Sequence, residues 1–432
     1  MRSVRLRRFF GLALAVAFLS GCAVNPVTGE REFSLVSEDW EREVGEENYG
    51  PLRQMEGGDY AFDQELVEYV REVGQRVAAE ADRDLPYEFT VLNSSVPNAW
   101  ALPGGKIAIN RGLLTEMSSE AELASVIGHE IVHAAARHGA QRQSRQTLLQ
   151  GAVMASGVAV GIATDRQEYA AVALLAGGLG AQLINQRYSR EAELEADRFG
   201  MVYMHRAGYN PEAAVDLQET FVRLSEGRGG GGFAQGLFAS HPPSEERVRR
   251  NRETLDELGT EGDWGRESYR ERIATIERLK PAYELHDEGR AALRNDDPET
   301  ALRKAEEAIE KESGEATFHA LRGDALATMG EMEQAEHAYS SALENDDSWF
   351  YHHLRRGMVR EGLGRMDDAR GDLRTSLDLL PTADAHYYLG NVERSAGNRD
   401  AAIQHYRAAS QADDETGRRA REALEDMGAG AS

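Results

Sequence analysis

In the segment His129-Glu130-Ile131-Val132-His133, residue type and spacing together specify a chemistry. Residues i and i+4 of a helix share a face, so both imidazoles can meet one ion. Glu130 directly follows the first histidine, within reach of a water held at that ion. Zinc brings the pKa of such a water down towards about 7 and polarises a carbonyl; the carboxylate takes the proton and hands it to the leaving amine. The chemistry is metal-assisted hydrolysis of a peptide bond. The bare pattern also arises on helices that carry His and Glu for surface reasons. Here its neighbours Val126, Ile127, Ile131 and Val132 are apolar. That predicts a buried helix, and buried His and Glu need partners.

A third ligand must come from elsewhere. A metzincin would need Gly at 136 and His at 139; the chain has Ala136 and Gly139, and His138 reads as a structural or surface histidine. A carboxylate remains. Residues 189–197 form a strong helix former in which Glu193 and Asp197 are i, i+4. One carboxylate can bind zinc while the other accepts the second N–H of a liganding histidine. Glu191 and Glu195 make an equally spaced pair on another face, and spacing does not choose between the pairs.

The elements that must position these groups follow from periodicity. Leu66, Val67, Val70, Val73 and Val77 have helical spacing. Residues 87–91 alternate like a strand, and residues 100–102 and 107–109 flank Pro103-Gly104-Gly105 as a hairpin. Ser119 with Glu122 is a capping box that opens a long helix through Arg137. Two apolar stretches within residues 148–185 fall short of the roughly 20 residues that span a bilayer, and read as a buried or membrane-surface helical hairpin. A true spanning pair, and with it an intramembrane enzyme, is the rival. The glycine run at 228–232 reads as a flexible loop, and residues 249–282 as a charged connecting helix.

The last third repeats. Gly289, Gly323, Gly357 and Gly390 recur at a period of about 34 residues, and so do Ala301, Ala335, Ala369 and Ala402. Ala308, Ala342, Ser376 and Ala409 give a third register. Small residues there let paired helices pack closely, as in tetratricopeptide repeats, and four units over residues 283–425 suffice for a solenoid.

At the start of the chain, Arg2, Arg5, Arg7 and Arg8 precede a short apolar run, a secretory signal over residues 1–21. Leu19-Ser20-Gly21-Cys22 resembles a bacterial lipobox, and Cys22 is the chain's single cysteine, so an internal disulfide is impossible. Lipidation at Cys22, a polar tether over residues 22–45 and periplasmic exposure from the outer membrane follow as expectations. Net charge is −25, with 74 acidic against 49 basic residues, which argues against a nucleic-acid partner.

Residues 98–114, 129–138, 189–200 and 240–243 together resemble, in order, the type I CAAX prenyl protease family, in its soluble bacterial branch with tetratricopeptide tails. The resemblance implies a zincin-like domain at residues 46–248, mainly α with a small β-sheet, followed by an all-α tetratricopeptide solenoid. It implies one Zn2+ per chain, held by His129, His133 and Glu193, with Glu130 as the base and Asp197 as orienting partner. His241 matches a family histidine that stabilises the oxyanion or, in latent forms, caps the zinc as a fourth ligand. Lys106, Ile107, Ala108, Ile109 and Asn110 resemble the strand edge on which an extended substrate pairs, and the glycine loop before His241 resembles a gate. The family's prenyl proteases span the membrane many times and this chain cannot, so prenylated substrates are not implied. The implied substrates are misfolded or stalled envelope proteins, with the repeats recruiting the client or an outer-membrane assembly machine. The rival of another class is a lipoprotein chaperone or scaffold whose zinc site is latent.

Overall fold

The computed structural model describes residues 22–155, 187–226 and 236–430. The signal segment, most of the 148–185 stretch and the glycine run at 228–232 lie outside the described residues. None of the described helices is long and apolar enough to cross a membrane.

Two short strands, β1 (Cys22–Val24) and β2 (Arg31–Phe33), pair antiparallel across a turn in which Asn25 Oδ1 accepts from Val27 N. This stretch was expected to be a tether, and its first residues are instead docked. Asn25 is 1% exposed and donates to Glu195 Oε1 at 2.7 Å, and Leu35 N donates to Ser144 Oγ at 2.8 Å. Asn25, a polar residue of the expected tether, is consumed by these contacts.

Helix α1 (Glu38–Met55) is capped by Ser37, and α2 (Gln64–Ala78) buries Leu66, Val67, Val70, Val73 and Val77, the stripe read from the sequence. The sheet comprises β3 (Glu88–Leu92), β4 (Ala99–Leu102) and β5 (Lys106–Asn110), in the order β3-β5-β4. β4 and β5 form the expected hairpin, with Gly104 and Gly105 at φ +85° and +89°, where a side chain would be strained. β3 then adds parallel to β5, Glu88 opposite Lys106 through Leu92 opposite Asn110. Lys106–Asn110 is therefore the middle strand, hydrogen-bonded on both sides. The reading of it as a substrate-binding edge is corrected: its backbone has no free side. Among the described strands, β4 is the one with an unpaired side next to the hairpin.

After α3 (Arg111–Leu114), Ser119 Oγ accepts from Glu122 N, and Glu122 answers by accepting from Ser118 N, closing the cap of α4 (Glu120–Ala135). That helix stops two residues short of the expected end. Arg137 adopts φ +63°, the chain turns, and α5 (His138–Ala155) begins. A buried pair of ion bridges, Arg83 and Arg137 on Glu41, ties the turn to α1.

Helix α6 (Arg190–Arg206), capped by Ser189, lies against α4; α7 (Glu212–Glu226), α8 (Leu237–Ser240) and α9 (Glu245–Leu258) close the layer behind it. The charged stretch read as one connecting helix is broken. Gly259, Gly262 and Gly265, all at positive φ, carry a loop between α9 and α10 (Arg266–Arg272), and α11 (Ala274–Arg294) follows.

From α11 onward helices stack in antiparallel pairs: α11 with α12 (Pro298–Lys311), α13 (Ala316–Thr328) with α14 (Met332–Asn345), α15 (Phe350–Gly362) with α16 (Met366–Leu379), α17 (Ala383–Ser395) with α18 (Arg399–Ala409). Helix α19 (Glu415–Asp426) covers the end. The repeating glycines sit under large side chains of neighbouring helices. A Cβ on Gly323 or Gly390 would stand 2.7 Å from the ring of Tyr339 or Tyr406. The solenoid touches the first domain at several places, among them the turn where Trp349 Nε1 donates to Gln54 O at 2.9 Å and Gln54 Nε2 donates to Ser348 O at 2.8 Å, and Glu315, which accepts from Asn93 Nδ2 at 3.0 Å.

Candidate metal centre

Helix α4 carries His129 and His133 on one face, with Nε2 atoms 3.0 Å apart. Helix α6 crosses it closely enough to deliver Glu193. The approach depends on glycine: a Cβ on Gly200 would stand 2.8 Å from His129 N, and one on Gly128 would stand 2.8 Å from Gly200 O. Gly200→Ala is therefore expected to wedge the helices apart at the site itself, costing about 1–3 kcal/mol from overpacking and lowering zinc content. Thermal unfolding and metal analysis check this; an unmoved midpoint with full zinc would show that the contact is not needed.

Glu193 Oε1 lies 3.4 Å from His133 Nε2, and Oε2 lies 3.6 Å from His129 Nε2. His241, just past α8, brings Nδ1 to 3.0 Å from Glu193 Oε1 and 3.2 Å from His129 Nε2. The donor atoms of His129, His133, Glu193 and His241 all lie within 4.8 Å of one another. Glu130 points to the same centre, with Oε1 3.6 Å from His241 Nε2.

Electrostatics favour a cation here. Burial pushes the Glu193 carboxyl up, but His241 and Arg247 outweigh it and hold its pKa well below the ordinary value. Burial pushes His133 well below an ordinary histidine, against the pull of Glu193. An ionised carboxylate and neutral imidazoles are the forms that ligate a metal. One oxygen each of Glu130 and Glu193 is buried without a hydrogen-bond partner. Arg247 Nη1 stands 3.0 Å from that Glu193 oxygen but off the hydrogen-bonding direction, so the oxygen keeps a lone pair for the centre. Two imidazoles with a carboxylate are a zinc donor set, and the residues fit that ion.

The supporting groups lie one layer out. His129 Nδ1 is 2.9 Å from Asp197 Oδ1, and since a carboxylate only accepts, the proton sits on Nδ1 and the Nε2 lone pair is free. Asp197 in turn accepts two hydrogen bonds of 2.7 Å from Arg247. Burial raises the Asp197 carboxyl, and Arg247 with His129 brings it below its ordinary range. His133 Nδ1 is 2.9 Å from His138 Nδ1, and His138 Nε2 is 3.4 Å from Glu195 Oε1. The Tyr188 ring stacks on His133 at 3.8 Å and 23°, and burial pushes its hydroxyl up to about 12.

The expected ligands His129, His133 and Glu193 are thus brought together with Glu130, Asp197 and His241. Lys106–Asn110 stand apart, in the sheet beneath. Cys22 begins β1. Arg247 and Tyr188 escaped sequence reasoning; of the two readings of His138, the structural one holds. His138 is 3% exposed because the left-handed turn at Arg137 folds it back under His133.

Residues 65–255 match peptidase family M48, and residues 286–348 and 354–415 match tetratricopeptide repeats. The chain is 30% identical over 262 residues to the mitochondrial metalloendopeptidase OMA1 of Schizosaccharomyces pombe, covering 59% of this chain and 74% of that one. It is 30% identical over 170 residues to the metalloprotease YcaL of Escherichia coli, covering 39% of this chain and 63% of that one. It is 26% identical over 235 residues to the β-barrel assembly-enhancing protease of Escherichia coli, covering 53% of this chain and 45% of that relative's length. The chain belongs to peptidase family M48.

Proposed function

We propose that the chain is a zinc-dependent metalloendopeptidase that hydrolyses peptide bonds in misfolded or stalled cell-envelope proteins. The observation that carries the reading is the convergence of His129, His133 and Glu193 on one point, with the Glu130 carboxylate beside it, one of whose oxygens has no hydrogen-bond partner. Zinc held by His129, His133 and Glu193 would supply Lewis acidity to the scissile carbonyl and to a water. Glu130 takes that water's proton and delivers it to the leaving nitrogen. Asp197, clamped by Arg247, holds His129 in the ligating tautomer, and His138 does the same for His133. An extended substrate pairs along the unpaired side of β4, the strand on which α4 packs.

The envelope setting rests on the export signal, the lipobox at Cys22 and the similarity to the β-barrel assembly-enhancing protease. Outer-membrane anchoring in the periplasm, and recruitment of an unfolded client or an assembly machine by the repeats, belong to the same reading. So does membership of the type I CAAX prenyl protease branch of the family, without prenylated substrates.

Zinc analysis and casein cleavage of the lipid-anchored chain test it, before and after a chelator and after zinc is restored. About one zinc per chain, with cleavage lost on chelation and regained with zinc, is expected. Cleavage that ignores the chelator would sink the assignment.

One observation favours a second reading, a chaperone or scaffold with a latent centre: His241 stands inside the donor set. His241→Ala separates its roles. A faster rate identifies His241 as a cap on the metal, a slower one as a donor to the oxyanion, and an unchanged one removes it from the mechanism.

A further inference from the structure

On one side the metal centre opens into a cavity of ≈ 50 Å³, which His129, Glu130 and His241 border. Its wall beyond them is apolar, with Val126 from α4, Met201 from α6, Leu217 from α7 and Leu237 from α8. Five polar residues break that pattern: Asp197 and Arg247 bond each other, Ser125 Oγ donates to Glu122 O, and Gln218 and Asn251 remain. Gln218, on α7, is 5% exposed, and Asn251, one turn beyond Arg247 on α9, is 3% exposed. Both line the cavity, and Gln218 Nε2 and Asn251 Oδ1 are buried with no hydrogen-bond partner.

Buried amide atoms are almost always paired, and two unpaired ones at the wall of one cavity call for a ligand group. One is a donor and the other an acceptor, so the complement must offer C=O and N–H together. A primary carboxamide does. It also meets the opposite assignment of O and N in either side chain, because its NH2 carries two donors and its oxygen accepts twice. A carboxylate only accepts, so it would leave the acceptor unpaired, and the cation of this wall, Arg247, is already bound to Asp197. A leucine or methionine side chain would fill the apolar wall and leave both amides unpaired. The volume admits roughly four water-sized groups, which holds a carboxamide with most of a two-methylene stem; the asparagine peptide tests the shorter fit.

We propose that this cavity is the specificity pocket of the centre and takes a glutamine side chain next to the scissile bond, its methylenes on the apolar wall and its carboxamide on Gln218 and Asn251. The proposal rests on the metallopeptidase reading of the same centre.

The test uses the full chain and peptides that differ only in Gln, Asn, Glu, Met or Leu on either side of the cleaved bond. Turnover is measured on the wild type, and binding by calorimetry on Glu130→Gln. The glutamine peptide is expected to lead methionine and leucine by ~10-fold or more in kcat/KM and in affinity, since a site built to hydrogen-bond rejects the analogue that cannot. In Gln218→Leu/Asn251→Leu the order reverses in favour of leucine and methionine. Leucine or methionine equal to glutamine in the wild type would overturn the pocket, with trapped water satisfying the amides. So would an unaltered order in the double variant. Should that variant not fold, the wild-type series decides alone. Glutamine-selective binding without any cleavage would instead sink the peptidase reading and leave the pocket standing. Cleavage without selectivity would do the reverse, and no binding at all would overturn the pocket.

Discussion

Glu130→Gln is expected to lower casein hydrolysis by about 10²–10⁴-fold with zinc content and thermal unfolding unchanged. Glu130 is 1% exposed, and one of its oxygens has no partner in the fold. It is not needed to hold a metal, because His129, His133 and Glu193 already present their donor atoms to the centre. It makes no hydrogen bond to the Asp197–Arg247 pair that braces His129, although its charge adds to the field at Arg247. Glutamine keeps the shape and removes only the basic oxygen and its charge. Relieving a buried, unpaired carboxylate oxygen should leave stability the same or slightly better. A loss of zinc alongside activity would recast Glu130 as a ligand, and an undiminished rate would end the proposed mechanism. In cells the same variant separates the two functional readings. Envelope assembly rescued by Glu130→Gln would mean that binding dominates.

The histidine pair, its capped helix and the repeats were legible because their signals are local or periodic. A one-turn spacing, a Ser119–Glu122 box and three registers of small residues need no knowledge of the rest of the fold. The third ligand was not legible from spacing. Glu193 and Glu195 differ only in which face of α6 meets α4, and that face is set by the Gly128–Gly200 contact, far apart in sequence. Glu195 is turned to Asn25 and His138 instead. The sheet misled for a similar reason. A hairpin with its second strand at the edge and one with that strand in the middle read alike until β3 is placed, and its parallel pairing with β5 is a long-range event. Arg247 had no local signal at all. The break in the connecting helix did have one, in Gly259, Gly262 and Gly265, three residues that readily take positive φ within a charged run.

Replacing Arg247 by Met is expected to have the larger effect on stability. Arg247 is 7% exposed and is the cation shared by Asp197, bound through two hydrogen bonds, and by the adjacent Glu193. Burial works against its charge, but Asp197, Glu193 and Glu130 together raise its pKa above that of a free guanidinium. Methionine fills much of the volume and leaves three buried carboxylates without it. Breaking a buried pair from one side costs about 3–5 kcal/mol, because the remaining charge is uncompensated. The zinc affinity should fall roughly 10–100-fold as Asp197 loses its grip on His129. The two effects are linked in a way that tests the assignment. Zinc stabilises the fold by binding it, so weaker binding in the variant means that the zinc-loaded protein should lose more stability than the metal-free one, by about 1.4 kcal/mol for each tenfold of affinity. Thermal unfolding of both forms measures the difference. Equal destabilisation would mean that Arg247 serves the fold alone and leaves the metal ligands untouched, whereas an extra loss in the zinc-loaded form would show that Arg247 holds the centre together through Asp197 and His129.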